Sequence, residues 1–593
     1  MAHDTIPSRL LAQAKNRPEA PAYCVWEGDG WKPTSWKDYV AEVRKVARAL
    51  ISLGVGPGGA VAILGTNRPE WVLADLGAMC VGAVPAGVYT TCSPEEVRYI
   101  VHHAGCAVVV LETNAHWEKV KSQRDQLPDL KKVVLMKGAA AVDDPLVVTW
   151  EAFLALAEGV EDKVVDERIA ALEPGGLATL IYTSGTTGPP KGVMLSHRNL
   201  SWTADNAREI TGLGEDDVSL SYLPLSHIAE QMFTVHGPVS GGVCVHFCRG
   251  LEKFPEDLKS TQPTVFFGVP RIWEKFHAGV SAKLSAATGI KRFMADWAQG
   301  VGRRVHALKA RGEPLPGFLA WQYGLATKLV FSKVKTALGL GRARMCVSGA
   351  APVAREVLEF FTGLDVAIYE VYGQSEDTGP TSFNRPGKTR LGTVGQPIPG
   401  IEVKLGPDEE ILVKGPNVFL GYYKDPEATA ATVKDGWLHS GDLGSFDSDN
   451  FLSITGRKKD ILITSGGKNI TPKNIEGAVK NHPLVSEAVL IGDRRNYLTM
   501  LITLDPEAAE RFLKERGESA PAHESKAVRE TLDKALEEVN RTLARVETVK
   551  KFTVLPRPFT IEHGELTPTL KVKRNVVNRV WSAEIEKMYA DQA

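Results

Sequence analysis

The chain has 593 residues, more than one hydrophobic core ordinarily serves, so at least two domains are expected. Hydrophobic residues make up 43% and charged residues 24%, an ordinary globular balance, and a formal net charge of −1 leaves no whole-molecule field to hold nucleic acid. The seven cysteines are scattered, and the nearest pair, Cys244 and Cys248, lacks a matching His or Cys set downstream. That argues against a zinc site or a disulfide framework and fits a reducing cytoplasm. No apolar run is long enough to span a bilayer, and residues 1–18 carry charges with no apolar leader core. A soluble cytoplasmic protein is expected, with peripheral membrane contact left open.

In chain order, residues 60–64 form a short apolar run that reads as a buried strand. Residues 69–83 read as a helix with an early proline, and 84–89 as a second strand. Ser93-Pro94-Glu95-Glu96 is a capping box with proline at the first helical position, so a helix starts there. Residues 106–111 are another β-branched run. This alternation implies a parallel sheet covered by helices. The pattern returns at residues 218–223, 243–247 and 264–269, which predicts a second, similar α/β lobe beside the first. No short-period repeat exists, which argues against a solenoid.

Residues 291–344 differ in character. They hold eleven Lys or Arg against two acidic residues, interleaved with Phe293, Trp297, Phe318, Trp321, Tyr323 and Phe331. Two readings stay open: a basic amphipathic surface that approaches anionic lipid, or a solvated helical hairpin with its aromatics in the core. Residues 395–456 turn Gly- and Asp-rich, with short strands at 411–413 and 451–454 and a turn at Asp449-Asn450 that needs a positive φ. A fresh α/β pattern begins after Lys459, so a domain boundary is placed at residues 457–460.

The residues with the clearest chemistry follow the apolar strand at 177–182. They are Thr183-Ser184-Gly185-Thr186-Thr187-Gly188-Pro189-Pro190-Lys191-Gly192. Small and hydroxylated residues leave backbone N–H groups open to an anion, the glycines permit strained turns, and Lys191 adds a point charge. No Ser or Thr follows the lysine in a Walker frame, so this is a phosphate loop of another kind.

The Tyr182-to-Gly192 segment resembles the signature of the adenylate-forming superfamily, which includes acyl-CoA synthetases, peptide-synthetase adenylation domains and firefly luciferase. Further segments stand in that family's order: Ser348-Gly349-Ala350-Ala351-Pro352, Tyr372-Gly373-Gln374-Ser375-Glu376, the 436–442 stretch ending in Ser440-Gly441-Asp442, and Gly456-Arg457-Lys458-Lys459-Asp460. The resemblance covers nearly the whole chain. It implies a large N-terminal domain, residues 1–457, of two α/β lobes plus a small β-rich part, a hinge at 458–460 centred on Lys459, and a small mobile α+β C-terminal domain at 461–593.

The same resemblance distributes roles. Thr183, Ser184, Gly185, Thr186 and Thr187 would cradle phosphate. Gly349, Ala350 and Ala351 would face adenine, with Tyr372 stacking on it and Gly373 and Ser375 completing the turn. Asp442 would take the ribose hydroxyls and Arg457 the ribose or phosphate side. Glu376, helped by Thr183, would hold Mg²⁺, because a carboxylate beside triphosphate repels it unless a cation intervenes. His227, in Pro224-Leu225-Ser226-His227, would lie near the carboxylate and the departing pyrophosphate. Lys571, in Thr567-Pro568-Thr569-Leu570-Lys571, would be the catalytic lysine, with Leu570 standing where the family usually has Gly. Gly466 and Gly467 would line the path of coenzyme A. Residues 459–470 resemble the long-chain branch of acyl-CoA synthetases, including bubblegum-type relatives.

The expected activity is therefore a long-chain fatty acid–CoA ligase that uses ATP, Mg²⁺ and coenzyme A, with no protein nucleophile. An enzyme of the same fold acting on a medium-chain or aryl acid is one alternative; a non-catalytic nucleotide-binding scaffold is another.

Overall fold

A computed structural model describes residues 4–183, 189–567 and 569–590 of the chain. The first lobe is built on an eight-stranded sheet. Its central strands Ala60–Leu64, Val84–Val88 and Cys106–Leu111 run parallel and are almost wholly buried. Near-continuous burial is what strands covered by helices on both faces require. Pro69–Cys80 is one covering helix, and Pro94–Ala104 is another. The second begins as its capping box dictates: Glu96 N donates to Ser93 Oγ and Ser93 N donates to Glu96 Oε2.

The second lobe carries Val218–Ser221, Cys244–Phe247, Val265–Gly268, Met345–Ser348 and Ile368–Tyr372. Thr264 joins its two sheets, donating to the carbonyl of Val218 at 3.0 Å and accepting from Arg344 N at 2.9 Å. The sequence pattern did not show that Pro21–Glu27, near the start of the chain, completes this lobe by pairing in parallel with Cys244–Phe247. That pairing also gathers cysteines that lie far apart in sequence. Cys24 Sγ lies 3.8 Å from Cys244 Sγ, and His246 joins them, with all three ligand atoms within 4.8 Å of one another. Cys24 is the more acidic thiol: its contact with Cys244 lowers its pKa, burial opposes this, and His246 adds to the lowering.

The lobes meet closely. A Cβ on Gly87, in a central strand of the first lobe, would stand 2.8 Å from the Cα of Ser226 in the second, so only glycine lets the backbones approach this far. The contact brings Ser226, the neighbour of His227, against the first sheet. A β-rich part formed by Glu402–Leu405, Glu410–Lys414, Trp437–Phe446 and Leu452–Arg457 follows, with Asn450 at φ 62° in the turn expected for it.

A short turn at Lys458–Asp460 leads into the C-terminal unit. There Val485–Ile491, Leu498–Leu504 and Val549–Val554 form a three-stranded sheet packed by the helices Pro472–Lys480 and Lys526–Arg541. Among the described residues, no helix is long and apolar enough to cross a membrane.

Candidate active site

Two strands flank the candidate phosphate loop: Leu177–Thr183 and Lys191–Ser196 are antiparallel, with Thr183 opposite Lys191, so those two residues stand on either side of it. Ser184, Gly185, Thr186 and Thr187 lie outside the described residues. Lys191 Nζ sits 4.7 Å from the ring centroid of Tyr422 and 3.8 Å from Asp425 Oδ2. Tyr422 in turn donates its hydroxyl to Glu376 Oε1 at 2.8 Å. One tyrosine thus ties that lysine to the candidate metal carboxylate, and the second oxygen of Glu376 has no hydrogen-bond partner among the described residues.

Glu376 belongs to a turn that admits little variation. A Cβ on Gly373 would fall 1.4 Å from the carbonyl oxygen of Gly379, an impossible separation. Within the turn, Asp377 accepts from Gln374 N at 2.8 Å, and Ser375 is buried. The turn packs beside Lys191–Ser196, the strand paired with Thr183. A half-buried carboxylate oxygen and a threonine hydroxyl at the loop mouth are hard donors of the kind Mg²⁺ takes together with phosphate oxygens, so the residues present fit that ion.

Gly349, Ala350 and Ala351 follow the buried strand Met345–Ser348, which lies next to Ile368–Tyr372. Ala350 holds φ 68°, a left-handed conformation that costs a residue with a Cβ about 1–2 kcal/mol. Strain of this kind concentrates where backbone must face a ligand.

Asp442 and Arg457 lie opposite each other on the antiparallel strands Trp437–Phe446 and Leu452–Arg457. Arg457 Nε is 3.1 Å from Asp442 Oδ1, and the hydroxyl of Tyr372 donates to Asp442 Oδ2 at 2.9 Å. Each carboxylate oxygen therefore has one protein donor and spare lone pairs for a diol. Because its hydroxyl is committed, Tyr372 has a fixed ring orientation.

The C-terminal unit delivers Lys571 to this place. The residue is exposed, although many protein atoms lie around its ammonium. Burial lowers its pKa first; Arg457 and Lys473 push in the same direction, while Asp442 and Glu376 oppose them. The same ammonium acts on His227, whose pKa falls to about 4, chiefly through burial and then through Lys571. His227 Nδ1 accepts from Ala229 N at 3.2 Å, so a neutral ring carries its proton on Nε2, free to donate. Lys573, two residues on, acts instead on Cys92. The segment is held by Thr567, whose N donates to the Lys571 carbonyl at 2.8 Å and whose hydroxyl accepts from Lys571 N at 3.0 Å. Leu570 sits at φ 60°, the conformation in which glycine is at home.

Gly466 and Gly467 are exposed, and their loop bonds within the C-terminal unit, Ser465 N donating to the Arg495 carbonyl at 3.0 Å. Lys459 lies in the connecting turn, next to Lys458, which pairs with Asp408 and Glu410.

Sequence reasoning passed over Tyr422, Asp425 and Lys473. Their partners are remote in the chain, and a Gly-Tyr-Tyr stretch carries no signal of its own.

The chain belongs to the AMP-binding enzyme family: the model of that family matches residues 10–423, and its C-terminal domain matches residues 459–593. It is 38% identical to the long-chain-fatty-acid--CoA ligase ACSBG2 of Xenopus laevis, over 95% of this chain and 81% of that protein. It is 34% identical to the long-chain-fatty-acid--CoA ligase FadD15 of Mycobacterium bovis, over 99% of this chain and 97% of that one. Among solved structures, the A domain of a carboxylic acid reductase from Segniliparus rugosus, in complex with AMP and a co-purified carboxylic acid, superposes with TM-score 0.75 at 22% identity, covering 99% of this chain and 94% of that one. The o-succinylbenzoate CoA synthetase of Bacillus subtilis, in complex with ATP and magnesium ion, does so with TM-score 0.67 at 21% identity, covering 96% and 98%. Those two likenesses speak to the fold.

Proposed function

We propose that this chain is an AMP-forming ligase that joins a long-chain fatty acid to coenzyme A. The observation that carries the reading is that Lys571, from the C-terminal unit, lies near enough to Arg457, Asp442 and Glu376 for their charges to act on its ammonium. The likeness to long-chain-fatty-acid–CoA ligases supports the long-chain acid as substrate.

The chemistry explains the set. A carboxylate is a poor electrophile, so it must be activated before a thiol can attack. Its oxygen attacks the α-phosphorus of ATP, the bond from that phosphorus to the bridging oxygen breaks, and pyrophosphate leaves, giving an acyl-adenylate. Two anions approach as this happens. Lys571 supplies positive charge where negative charge develops, and Arg457 adds a second, fixed source. Neutral His227 can donate Nε2–H to a carboxylate or phosphate oxygen without adding charge. Asp442 accepts from the ribose hydroxyls while Tyr372 and Arg457 hold it still. Gly349, Ala350, Ala351 and Tyr372 flank the adenine, and Thr183, the 184–187 turn and Lys191 take the phosphates. Mg²⁺, held by Glu376 and Thr183, screens the triphosphate when bound.

In the second half-reaction the thiolate sulfur of coenzyme A attacks the acyl carbon and AMP leaves with the oxygen that joined them. Lys571 is not needed there and stands in the way. Rotation about Lys459 would withdraw it and bring Gly466 and Gly467 toward the pantetheine path, a hinge movement confined to a few residues. We place the domains at residues 1–457 and 461–593, and the enzyme in the cytoplasm with access to lipid.

An acid panel tests the substrate. Turnover to AMP should peak with acids such as palmitate and fall by about tenfold or more for octanoate, since each lost buried CH₂ weakens binding by about 0.8 kcal/mol. A peak on octanoate or benzoate would replace the long-chain reading with the medium-chain or aryl one. An absence of pyrophosphate release with every acid would favour the non-catalytic scaffold.

A further inference from the structure

Residues 289–331 settle the two readings of the basic aromatic segment by dividing it. Trp297, Tyr323 and Phe331 pack with Ala298, Val301, Val305 and Ala326 in a small core of their own. Phe318 and Trp321 do the opposite: they are 71% and 63% exposed, with rings stacked on each other at 5.9 Å. Both belong to the helix Gly317–Ala326, which contains no charged residue. Its packed side buries Ala326 and leans Leu319 and Tyr323 on the core, while Phe318, Trp321 and Leu325 recur at helical spacing on the side turned to solvent. A helix apolar on both faces has one face too many for a water-exposed position. Ile290 and Phe293 stand exposed on the preceding helix, so five of the large exposed apolar side chains fall within this one hairpin.

We propose that this hairpin, centred on Phe318, Trp321 and Leu325, is the surface by which the protein docks on an anionic lipid bilayer. Charge decides the occupant. The only acidic residues of 291–344 are already matched, Asp296 with Arg292 at 2.9 Å and Glu313 with Arg311 at 3.8 Å. Arg303, Arg304, Lys328 and Lys333 are exposed, and none is in an ion pair among the described residues. Lys328 continues the apolar stripe one turn beyond Leu325, and Arg304 lies beside it, donating to Gln322 at 3.3 Å. Apolar rings at headgroup depth with cations beside them match an anionic membrane surface. A second copy fits poorly, because pairing this face with itself would bring the same cations together. The inference bears on the proposed ligase as a means of reaching acids dissolved in a bilayer, but binding can be tested without turnover.

The test is co-sedimentation of the full chain with vesicles of phosphatidylcholine alone, or with about one third phosphatidylglycerol. The wild-type chain should sediment with the anionic vesicles and release them as salt rises. Phe318→Ser with Trp321→Ser, and separately Arg304→Glu with Lys328→Glu, should each weaken binding by about tenfold or more. Turnover of soluble octanoate, or the circular dichroism spectrum if no acid is turned over, should be unchanged and would confirm that the variants fold. Equal binding by wild type and folded variants would overturn the proposal, as would a dimer in sedimentation equilibrium that both pairs of substitutions abolish.

Discussion

Lys571→Ala should lose adenylate formation and keep thioester formation. With ATP, Mg²⁺ and palmitate, the first half-reaction should slow by about 10²–10³-fold, the usual scale for removing one positioned group that stabilises developing charge. With synthetic palmitoyl-adenylate and coenzyme A, the second should stay within about threefold of wild type, because that step has no need of the ammonium. The two rates would be read separately, as pyrophosphate release and as thioester appearance. The pH dependence gives a further sign. Only the protonated amine helps, and burial together with Arg457 lowers its pKa from the ordinary lysine value. Adenylation by the free enzyme, read as kcat/KM, should therefore decline with rising pH before a free lysine would titrate. Equal loss of both half-reactions would remove the separate role given to Lys571.

Glu376→Gln should act through Mg²⁺ and leave the fold intact. The amide oxygen can still accept the Tyr422 hydroxyl that now reaches Glu376 at 2.8 Å, so the turn keeps its anchor. The anionic charge is lost, and with it most of the attraction for a hard divalent cation. The Mg²⁺ concentration for half-maximal adenylation should rise by at least about 10–100-fold, with partial recovery in excess Mg²⁺. Thermal unfolding without ligands should change little. A Mg²⁺ requirement identical to that of wild type would show that Glu376 is not the ligand.

Local features were legible before the structure. The capping box at Ser93, the left-handed turn at Asn450 and the strand leading into the phosphate turn each depend on neighbours within a few residues, and each is found in place. The two-lobed α/β plan was legible for the same reason, since alternating apolar runs carry it. Boundaries were less so: the helix expected at 69–83 ends at Cys80, and the strand expected at 218–223 ends at Ser221.

Contacts made across long chain separations could not be read. Pro21–Glu27 joins a lobe whose other strands begin about two hundred residues later, and nothing in its alternation says so. The cysteines seemed unrelated because Cys24 and Cys244 meet only through that pairing. Tyr422 is another case, since its value comes from standing between Lys191 and Glu376. The basic segment defeated either single reading because its aromatics divide between a local core and the solvent. Leu570 shows a conflict within one residue: the turn before Lys571 keeps a glycine conformation although the glycine is gone.

The proposed reaction bonds a carboxylate oxygen to the α-phosphorus of ATP. Palmitate carrying ¹⁸O in its carboxylate, turned over with ATP and coenzyme A, tests this most directly by mass spectrometry of the products. One labelled oxygen should appear in AMP and none in pyrophosphate. Formation of ADP, or label in inorganic phosphate with unlabelled AMP, would contradict it.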